Sequence, residues 1–123
     1  MARLFSRTVV AAIDAARIMG IRAGTDHKFI GVWPVVVDGR VFARSWGVSP
    51  GGWYPAFLED ANGSIQVGDR EIRVRGREAR GERIRDRVEL AYATKFTTKA
   101  SQKWVRGFRT ARRRDATIEF VPR

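Results

Sequence analysis

The side chains with the clearest chemical potential form an aromatic and polar cluster near the middle of the chain. Arg44, Ser45 and Trp46 end one predicted strand, and Trp53 and Tyr54 begin the element that follows a Ser-Pro-Gly-Gly break. An aromatic wall beside a cation suits a flat anionic ligand, because stacking and charge then act together. The cluster therefore predicts a binding site for a small, flat, anionic molecule. The alternative is that Trp53 and Tyr54 pack as core at one end of a barrel.

A second group of polar residues lies in a short connector upstream of that cluster. Arg22, Thr25, His27 and Lys28 occur within a few residues of one another, with Gly24 among them. Two cations, a hydroxyl and a loop glycine can converge on a phosphate through charge-assisted hydrogen bonds. The connector therefore predicts an anion site, with a solvated basic loop as the alternative. His27 is the single histidine, and without a neighbouring nucleophile we expect a surface residue and not a general base.

A third pair of residues lies on a predicted helix. Tyr92 and Lys95 are three positions apart, so they share one helical face. Tyr92 continues the apolar stripe of that helix, whereas Lys95 could reach the mouth of a ligand pocket. We therefore include Lys95 among the candidate cofactor-binding residues, with a purely structural pair as the alternative.

Positive charge is concentrated at the C-terminal end of the chain. The net charge is +11, and residues 95–123 carry nine basic and two acidic side chains. Between Lys95 and Arg114 the cations alternate with Trp104 and Phe108, a pattern typical of nucleic-acid binding because cations contact phosphates and aromatic rings contact bases. Two alternatives stay open: a solvated charged face that covers an apolar patch, and arginine enrichment from a GC-rich genome without functional meaning.

Composition excludes several classes of site. The chain has one histidine and no cysteine, which leaves no dedicated metal-ligand set and no disulfide. It contains no Gly-x-x-x-x-Gly-Lys phosphate loop. No apolar run approaches the roughly 18 residues that a membrane span needs. We expect a single domain over residues 1–123, cytoplasmic and without membrane association.

Two turn signals define the predicted strands. Asp38-Gly39 between two apolar runs is typical of a tight β-hairpin, and Gly68-Asp69 repeats the pattern. Pro34 lies inside the first predicted strand, which makes that strand an edge, a bulged strand or one that begins after the proline. The predicted strands cover Lys28 to Val37, Arg40 to Trp46, Ser64 to Val67, Arg70 to Arg77 and Ala116 to Val121.

Helical periodicity predicts three helices, and a basic segment precedes the last strand. The helices cover Arg7 to Met19, capped by Ser6 or Thr8, then Trp53 to Leu58 and Glu82 to Phe96. Gly20 is interpreted as the stop of the first helix, with a connector after it. Residues 97–114 are predicted to be partly helical around Trp104 and Phe108, and the pattern leaves open whether they pack or are mobile. Short strands separated by turns favour a closed or partly closed barrel.

Several short stretches of the sequence, taken together, carry a resemblance to a known family. They are Val35 to Ser45, Gly51-Gly52-Trp53-Tyr54, Ile65-Gln66-Val67-Gly68, Arg73, Tyr92-Ala93-Thr94-Lys95 and Ile118-Glu119-Phe120-Val121-Pro122-Arg123. On these residues, the region from Gly20 to Arg123 resembles an uncharacterised bacterial family, the domain-of-unknown-function family 2255. More remotely it is similar to the deazaflavin-dependent nitroreductases, which are split β-barrels of the flavin-reductase type.

The resemblance implies a fold and a cofactor class. It implies an α+β protein with a small antiparallel split β-barrel and flanking helices, related to proteins that bind FMN or a deazaflavin. It also implies a homodimer with the cofactor cleft between subunits. The phosphate-binding stretch of the nitroreductases is of the Gly-Arg-Lys-Ser-Gly type, and the matching residues here are Ala23-Gly24-Thr25-Asp26-His27-Lys28, which include an acidic residue.

These implications and the residues together predict a flavin- or deazaflavin-linked oxidoreductase that transfers a hydride. The expected anion-holding residues are Arg22, Thr25, Lys28, Arg44 and Ser45, with Lys95 at the pocket mouth. The expected ring-stacking residues are Trp46, Trp53 and Tyr54. Two alternatives stay open: a cofactor-free enzyme or small-ligand-binding protein that uses the same cleft, and a nucleic-acid-associated protein that acts through residues 97–114.

Overall fold

The computed structural model describes residues 4–47 and 49–123, which form five helices and seven strands. In chain order the elements are α1 (Arg7–Ala15), β1 (Met19–Ala23), β2 (Ile30–Val32), β3 (Pro34–Val37), β4 (Arg40–Arg44), α2 (Trp53–Glu59), β5 (Asn62–Val67), β6 (Arg70–Glu78), α3 (Glu82–Lys95), α4 (Lys99–Gly107), α5 (Ala111–Asp115) and β7 (Thr117–Pro122). Within this part of the chain, no helix is long and apolar enough to cross a membrane.

The seven strands form one antiparallel sheet in the order β2-β1-β5-β6-β7-β4-β3. The two outermost strands, β2 and β3, follow one another in the chain and are separated only by Trp33. The first and last strands of the sheet therefore meet at one residue, and the sheet curls into a nearly closed barrel. This confirms the predicted α+β split barrel.

Both predicted hairpins are present, and their turns have the expected backbone. Asp38 and Gly39 have φ values of 52° and 75°, which are the left-handed conformations that a tight hairpin turn requires. Gly68 has a φ of 57° in the second turn. The turns join β3 to β4 and β5 to β6 in antiparallel register.

The first predicted strand, over Lys28 to Val37, is wrong in its extent. The structure has two short strands there, β2 and β3, which are interrupted at Trp33. Proline cannot donate to a sheet ladder, so Pro34 begins β3 at the sheet edge. The ends of the remaining predicted elements, apart from α1 and the basic segment, lie within two residues of the observed ends.

The predicted end of the first helix and the connector after it are also wrong. Ser6 caps α1 as expected, since its hydroxyl accepts a hydrogen bond from the Val9 amide at 3.3 Å. The helix nevertheless ends at Ala15, because Ala16 is extended with a ψ of 131°. Residues 19–23 then form β1 between β2 and β5, a position that long-range pairing and not local propensity determines.

Buried apolar side chains form two clusters, one inside the barrel and one outside it. The inner cluster includes Phe57 of α2, whose ring lies so close to Gly76 that a Cβ there would be 2.6 Å from it. The outer cluster joins Phe42 on β4 to Tyr92 of α3 and Phe108 beyond α4. The outer cluster therefore attaches the C-terminal helices to the barrel, and it positions the aromatic residues of the site.

Candidate functional site

A cleft of about 350 Å³ lies where β2, the end of β4, the start of α2 and the end of α4 approach one another. Its walls are mostly aromatic. It is lined by Ile18, Gly31, Val32, Trp33, Arg44, Trp46, Trp53, Trp104 and Phe108. We call this space the aromatic cleft. A concave surface with four indole rings is suited to a flat, conjugated ligand.

Trp46 is held in the wall of the aromatic cleft by several contacts. Its ring meets Trp104 edge to face at 4.7 Å between centroids, and Phe108 at 5.7 Å. The Arg113 guanidinium lies 3.5 Å from the Trp46 ring centroid, and its Nε donates to the Trp46 carbonyl at 3.0 Å. A Cβ on Gly107 would overlap the indole, so glycine is required for this approach. The ring is therefore preorganised, which reduces the entropic cost of stacking a ligand.

The other indole rings of the cleft are also anchored. Trp33 stacks on Phe96 with centroids 4.3 Å apart and planes 10° apart. Trp53 packs against Phe57 and Phe120, each at 6.3 Å between centroids. Trp46 and Trp104 keep 38% and 40% of their surface exposed, so part of each ring is available for contact with a ligand.

A smaller recess of about 200 Å³ adjoins the aromatic cleft and shares Trp53 with it. It is lined by Ile21, Arg22, Ala23, His27, Lys28, Ile30, Gly51, Gly52, Trp53 and Ala56. We call it the basic recess, because the described residues that line it include two cations and a histidine but no carboxylate. The two spaces also meet along β2, where Ile30 faces the recess and Gly31 the cleft.

Arg22 lines this recess, and in the described part of the chain one of its donors is buried without a partner. Its Nη2 lies 3.3 Å from a Glu71 oxygen, and its guanidinium lies 4.5 Å from the Phe29 ring centroid. Its Nε is buried and has no hydrogen-bond partner among the described residues. A buried unsatisfied donor costs free energy.

Thr25 lies on the other side of this loop, in a surface cleft of about 820 Å³ that Arg22 and His27 also line. The same cleft is lined by four carboxylates and three cationic side chains. They are Asp26, Glu59, Asp60 and Glu71, and Arg22, Arg73 and Arg123. This mixture of charges does not favour an anion. In the described ranges, no group of three or more histidine, aspartate or glutamate residues is arranged to hold a metal ion.

Arg44 lies beneath the aromatic cleft and is fully committed to internal hydrogen bonds. Its side chain is completely buried. Its Nε donates to Thr117 Oγ1 at 2.9 Å. Nη1 donates to the Phe108 carbonyl at 3.0 Å, with a Glu89 oxygen at 3.5 Å, and Nη2 donates to the Arg85 carbonyl at 3.1 Å. Burial lowers the pKa of Arg44 from its usual value, although Tyr92 and Glu89 partly offset this. Each nitrogen of the guanidinium is therefore hydrogen-bonded to a protein oxygen.

Three other predicted site residues lie outside the aromatic cleft. The Ser45 hydroxyl donates to the Gly47 carbonyl. The Tyr54 hydroxyl lies 3.0 Å from Glu78 Oε1 on β6, and burial, together with that hydrogen bond, raises the pKa of Tyr54 to about 12. Lys95 lines a separate cleft of about 460 Å³ between β3 and α3, where its Nζ donates to the Pro34 carbonyl at 2.8 Å. Burial lowers the pKa of Lys95.

The structure therefore brings together Trp46 and Trp53 in one cleft, and Arg22 and Lys28 beside them. Sequence reasoning missed Trp33 and assigned Trp104 and Phe108 to a basic tail. Pro34 marked a break in the predicted strand, but nothing local predicts that the neighbouring Trp33 lies near α4, because that proximity depends on the closure of the barrel. Tyr92 is a core residue as the helical stripe predicted: it is fully buried, and its hydroxyl donates to the Trp33 carbonyl at 2.6 Å.

The nearly closed antiparallel barrel with its flanking helices is a split β-barrel. Solved structures share this fold at low identity. A candidate pyridoxamine 5′-phosphate oxidase from Listeria innocua has a TM-score of 0.63 and 14% identity, with 94% of this chain and 90% of that chain covered. A FAD-binding protein from Mesorhizobium loti has a TM-score of 0.55 and 13% identity, with 99% and 91% covered.

A conserved hypothetical protein from Mycobacterium tuberculosis has the same fold, with a TM-score of 0.61, 12% identity and coverage of 97% of this chain and 80% of that chain. Identities this low show kinship of fold alone. The chain itself belongs to DUF2255, described as an uncharacterized protein conserved in bacteria, and the family match covers residues 8–120. This confirms the predicted family. No curated protein matches the chain.

Proposed function

We propose that this protein binds a flavin-type cofactor, FMN or a deazaflavin, and acts as an oxidoreductase of the split-barrel class. The observation that carries the proposal is the junction of two complementary spaces at Trp53. One space is aromatic and suits a flat ring, and the other is basic and suits a phosphate. A flavin mononucleotide has these two chemical parts on one molecule.

The ring of the cofactor would lie in the aromatic cleft. Trp46, Trp53 and Trp104 would contact it, because they line the cleft and two of them keep part of their ring exposed. The bound cofactor would supply hydride transfer. The protein would orient the ring and exclude water from one of its faces, and both roles depend on the anchoring of Trp46 by Arg113.

The phosphate would lie in the basic recess. Arg22 would contribute its guanidinium, and Lys28 and His27 would contribute further donors, because all three residues line the recess. Charge-assisted hydrogen bonds of this kind are about twice as strong as neutral ones. Arg44 and Ser45 are left out of this proposal, because their side chains are engaged inside the protein.

The same region supports a homodimer. Ile18 and Ile30 are 51% and 43% exposed, and they lie on the rims of the aromatic cleft and the basic recess. Exposed aliphatic side chains beside a cleft are typical of a surface that a partner covers. A second copy placed over these residues would close both spaces.

Light scattering should therefore give a dimer mass for the native chain and a monomer mass for Ile18→Glu, with Leu90→Glu on α3 as the control. A monomeric native chain would contradict the dimer.

The cofactor proposal is tested by titrating the protein with FMN and with a deazaflavin, with tryptophan quenching as the readout. Saturable binding is expected, about tenfold weaker in Lys28→Ala, which removes one phosphate contact. Lys99→Ala is the matched control, because it removes the same charge from an exposed position on α4. Trp53→Leu should weaken binding of either cofactor.

Two outcomes would contradict the proposal. One is the absence of saturable binding of both cofactors to folded protein, and the other is equal weakening in Lys28→Ala and Lys99→Ala. Binding of an uncharged apolar probe without any flavin affinity would instead support a cofactor-free, small-ligand-binding protein.

A further inference from the structure

The outward face of α4 is a compact basic surface. Lys99, Lys103 and Arg106 follow the i, i+4, i+7 spacing, so they lie in one stripe, and all three are exposed. The opposite side of the helix is buried through Ser101, Val105 and Phe108. The cations therefore point away from the barrel into solvent. Arg109 and Arg112, in the turn and the helix that follow, are also exposed. We call these five residues the basic face.

The basic face has no internal counter-charge. Among the residues that the structure describes, none of the five cations forms an ion pair. The sequence of α4 contains no acidic residue. Neighbouring Arg114, by contrast, bonds to three carboxylates on α3. Like charges this close together repel each other, so a polyanion that binds them removes an unfavourable interaction.

An exposed aromatic ring lies beside these cations. Trp104 is on the same helix and is 40% exposed, and the Lys103 ammonium lies 5.3 Å from its ring centroid. A tryptophan face beside a row of cations can stack an unpaired base while the cations contact phosphates. The stripe from Lys99 to Arg106 is about 10 Å long, enough for adjacent phosphates of one strand.

We infer that the basic face binds single-stranded nucleic acid, with phosphates on its cations and a base stacked on Trp104. Bases in a duplex are not available for stacking on a side chain, which favours a single strand. An anionic membrane would fit the charge, but Trp104 and Trp46 line a concave cleft and do not project as a wedge. The five cations lie outside the proposed cofactor site, so their phosphate contacts do not depend on flavin binding, but Trp104 is shared, and a stacked base would compete with a flavin ring for it.

The inference is tested on the full chain by fluorescence anisotropy, with labelled oligothymidylate of about 15 nucleotides over a range of salt concentrations. Lys99→Gln, Lys103→Gln and Arg106→Gln are combined in one variant. A second variant combines Arg70→Gln, Arg75→Gln and Arg83→Gln, which are exposed and remove the same net charge elsewhere. The α4 variant should bind at least tenfold more weakly, and its slope of log K against log salt should fall by about 2.

The second variant should stay within about threefold of the native chain, since the three positions lie outside the basic face. Trp104→Leu keeps every charge, so it should weaken binding about fivefold without changing the salt slope. Equal loss in the two triple variants would overturn the inference, as would tighter binding to a duplex of the same length. Binding to phosphatidylserine vesicles without binding to the oligonucleotide would also overturn it. The flavin affinity of the α4 triple variant should match that of the native chain. A failure of the nucleic-acid inference can therefore be told apart from a failure of the cofactor proposal.

Discussion

The two helices that precede the last strand, α4 and α5, carry three cations each. The cations of α4 face solvent, whereas two of the three on α5 contact other groups of the protein. On α4, Lys99, Lys103 and Arg106 are exposed and lack counter-charges. On α5, Arg114 donates to Glu82, Asp86 and Glu89 at 2.9 to 3.1 Å, and its neighbour Arg113 covers the Trp46 ring. The difference arises from position, because α5 lies against the acidic side of α3, and the outer face of α4 lies against solvent.

This contrast shows that the net charge of the chain is a poor guide to its binding surfaces. A cation whose donors are satisfied by protein oxygens contributes to folding, and one whose donors face solvent is available to a ligand. Arg44 is the most deeply buried of the cations whose donors are used inside the protein. Glu119 on β7 likewise accepts hydrogen bonds from Arg40 and Arg77. The expected effects of substitution therefore decrease from the buried cations to those of α4.

The largest effect is expected for Arg44→Met. The substitution leaves the Phe108 and Arg85 carbonyls and the Thr117 hydroxyl without their donor, inside the protein. We expect a loss of about 3 kcal/mol in the free energy of unfolding, measured in urea. Arg83→Met on the exposed side of α3 is the control and should change stability little. A loss below about 1 kcal/mol would show that Arg44 is not an internal anchor.

A smaller effect, and a pH dependence, is expected for Glu119→Gln. Burial on its own raises the pKa of Glu119, but hydrogen bonds from Arg40 and Arg77 outweigh burial and lower the pKa below its ordinary 4.5. The stabilisation is therefore complete above about pH 4.5 and disappears as pH falls through the folded-state pKa. We expect Glu119→Gln to lose about 2 kcal/mol at pH 7.

Unfolding curves at several pH values test this expectation. The native chain should lose stability below about pH 4.5, and the difference between native and variant should shrink over that range. Glu71→Gln, on an exposed carboxylate with one ion pair, is the control. A constant difference across the pH range would contradict the proposed role of Glu119.

Arg114→Ala is expected to have the next effect, about 1 kcal/mol, because its three ion pairs are partly exposed. The loss should diminish in high salt, which screens these charges. Arg112→Ala is a matched control from the same helix, since that side chain is exposed. If both substitutions cost the same free energy, α5 would not be held to α3 by its charges.

Local patterns in the sequence predicted most of the fold. Asp38-Gly39 and Gly68-Asp69 specify turns that few other dipeptides form, so both hairpins were predicted at the correct positions. Residues 19–23 were not recognised as a strand, although Met19, Ile21 and Ala23 alternate toward the core. That alternation is short and contains Gly20. Whether it forms a strand depends on the pairing of β1 with β2 and β5, which are distant or separately formed segments.

The site was only partly predictable, for a similar reason. Trp46 and Trp53 were identified because Trp46 ends one predicted strand and Trp53 begins the next element, on either side of a Gly-rich break. Arg44 was interpreted as a ligand-binding cation, because the hydrogen bonds from its guanidinium to carbonyls on α3 and after α4 join residues more than 40 positions apart in the chain. Sequence proximity predicts which residues share a loop, and it does not predict which donors are already used.

The smallest effect on stability is expected for the variant that combines Lys99→Gln, Lys103→Gln and Arg106→Gln. These side chains lack ion pairs in the part of the chain that the structure describes, and like charges at i, i+4 spacing repel each other. We therefore expect stability within about 0.5 kcal/mol of the native chain, with any change toward greater stability at low salt. Urea unfolding at two salt concentrations measures this. A loss above about 1 kcal/mol would mean that these cations contribute to folding as those of α5 do, and the contrast between the two helices would then be wrong.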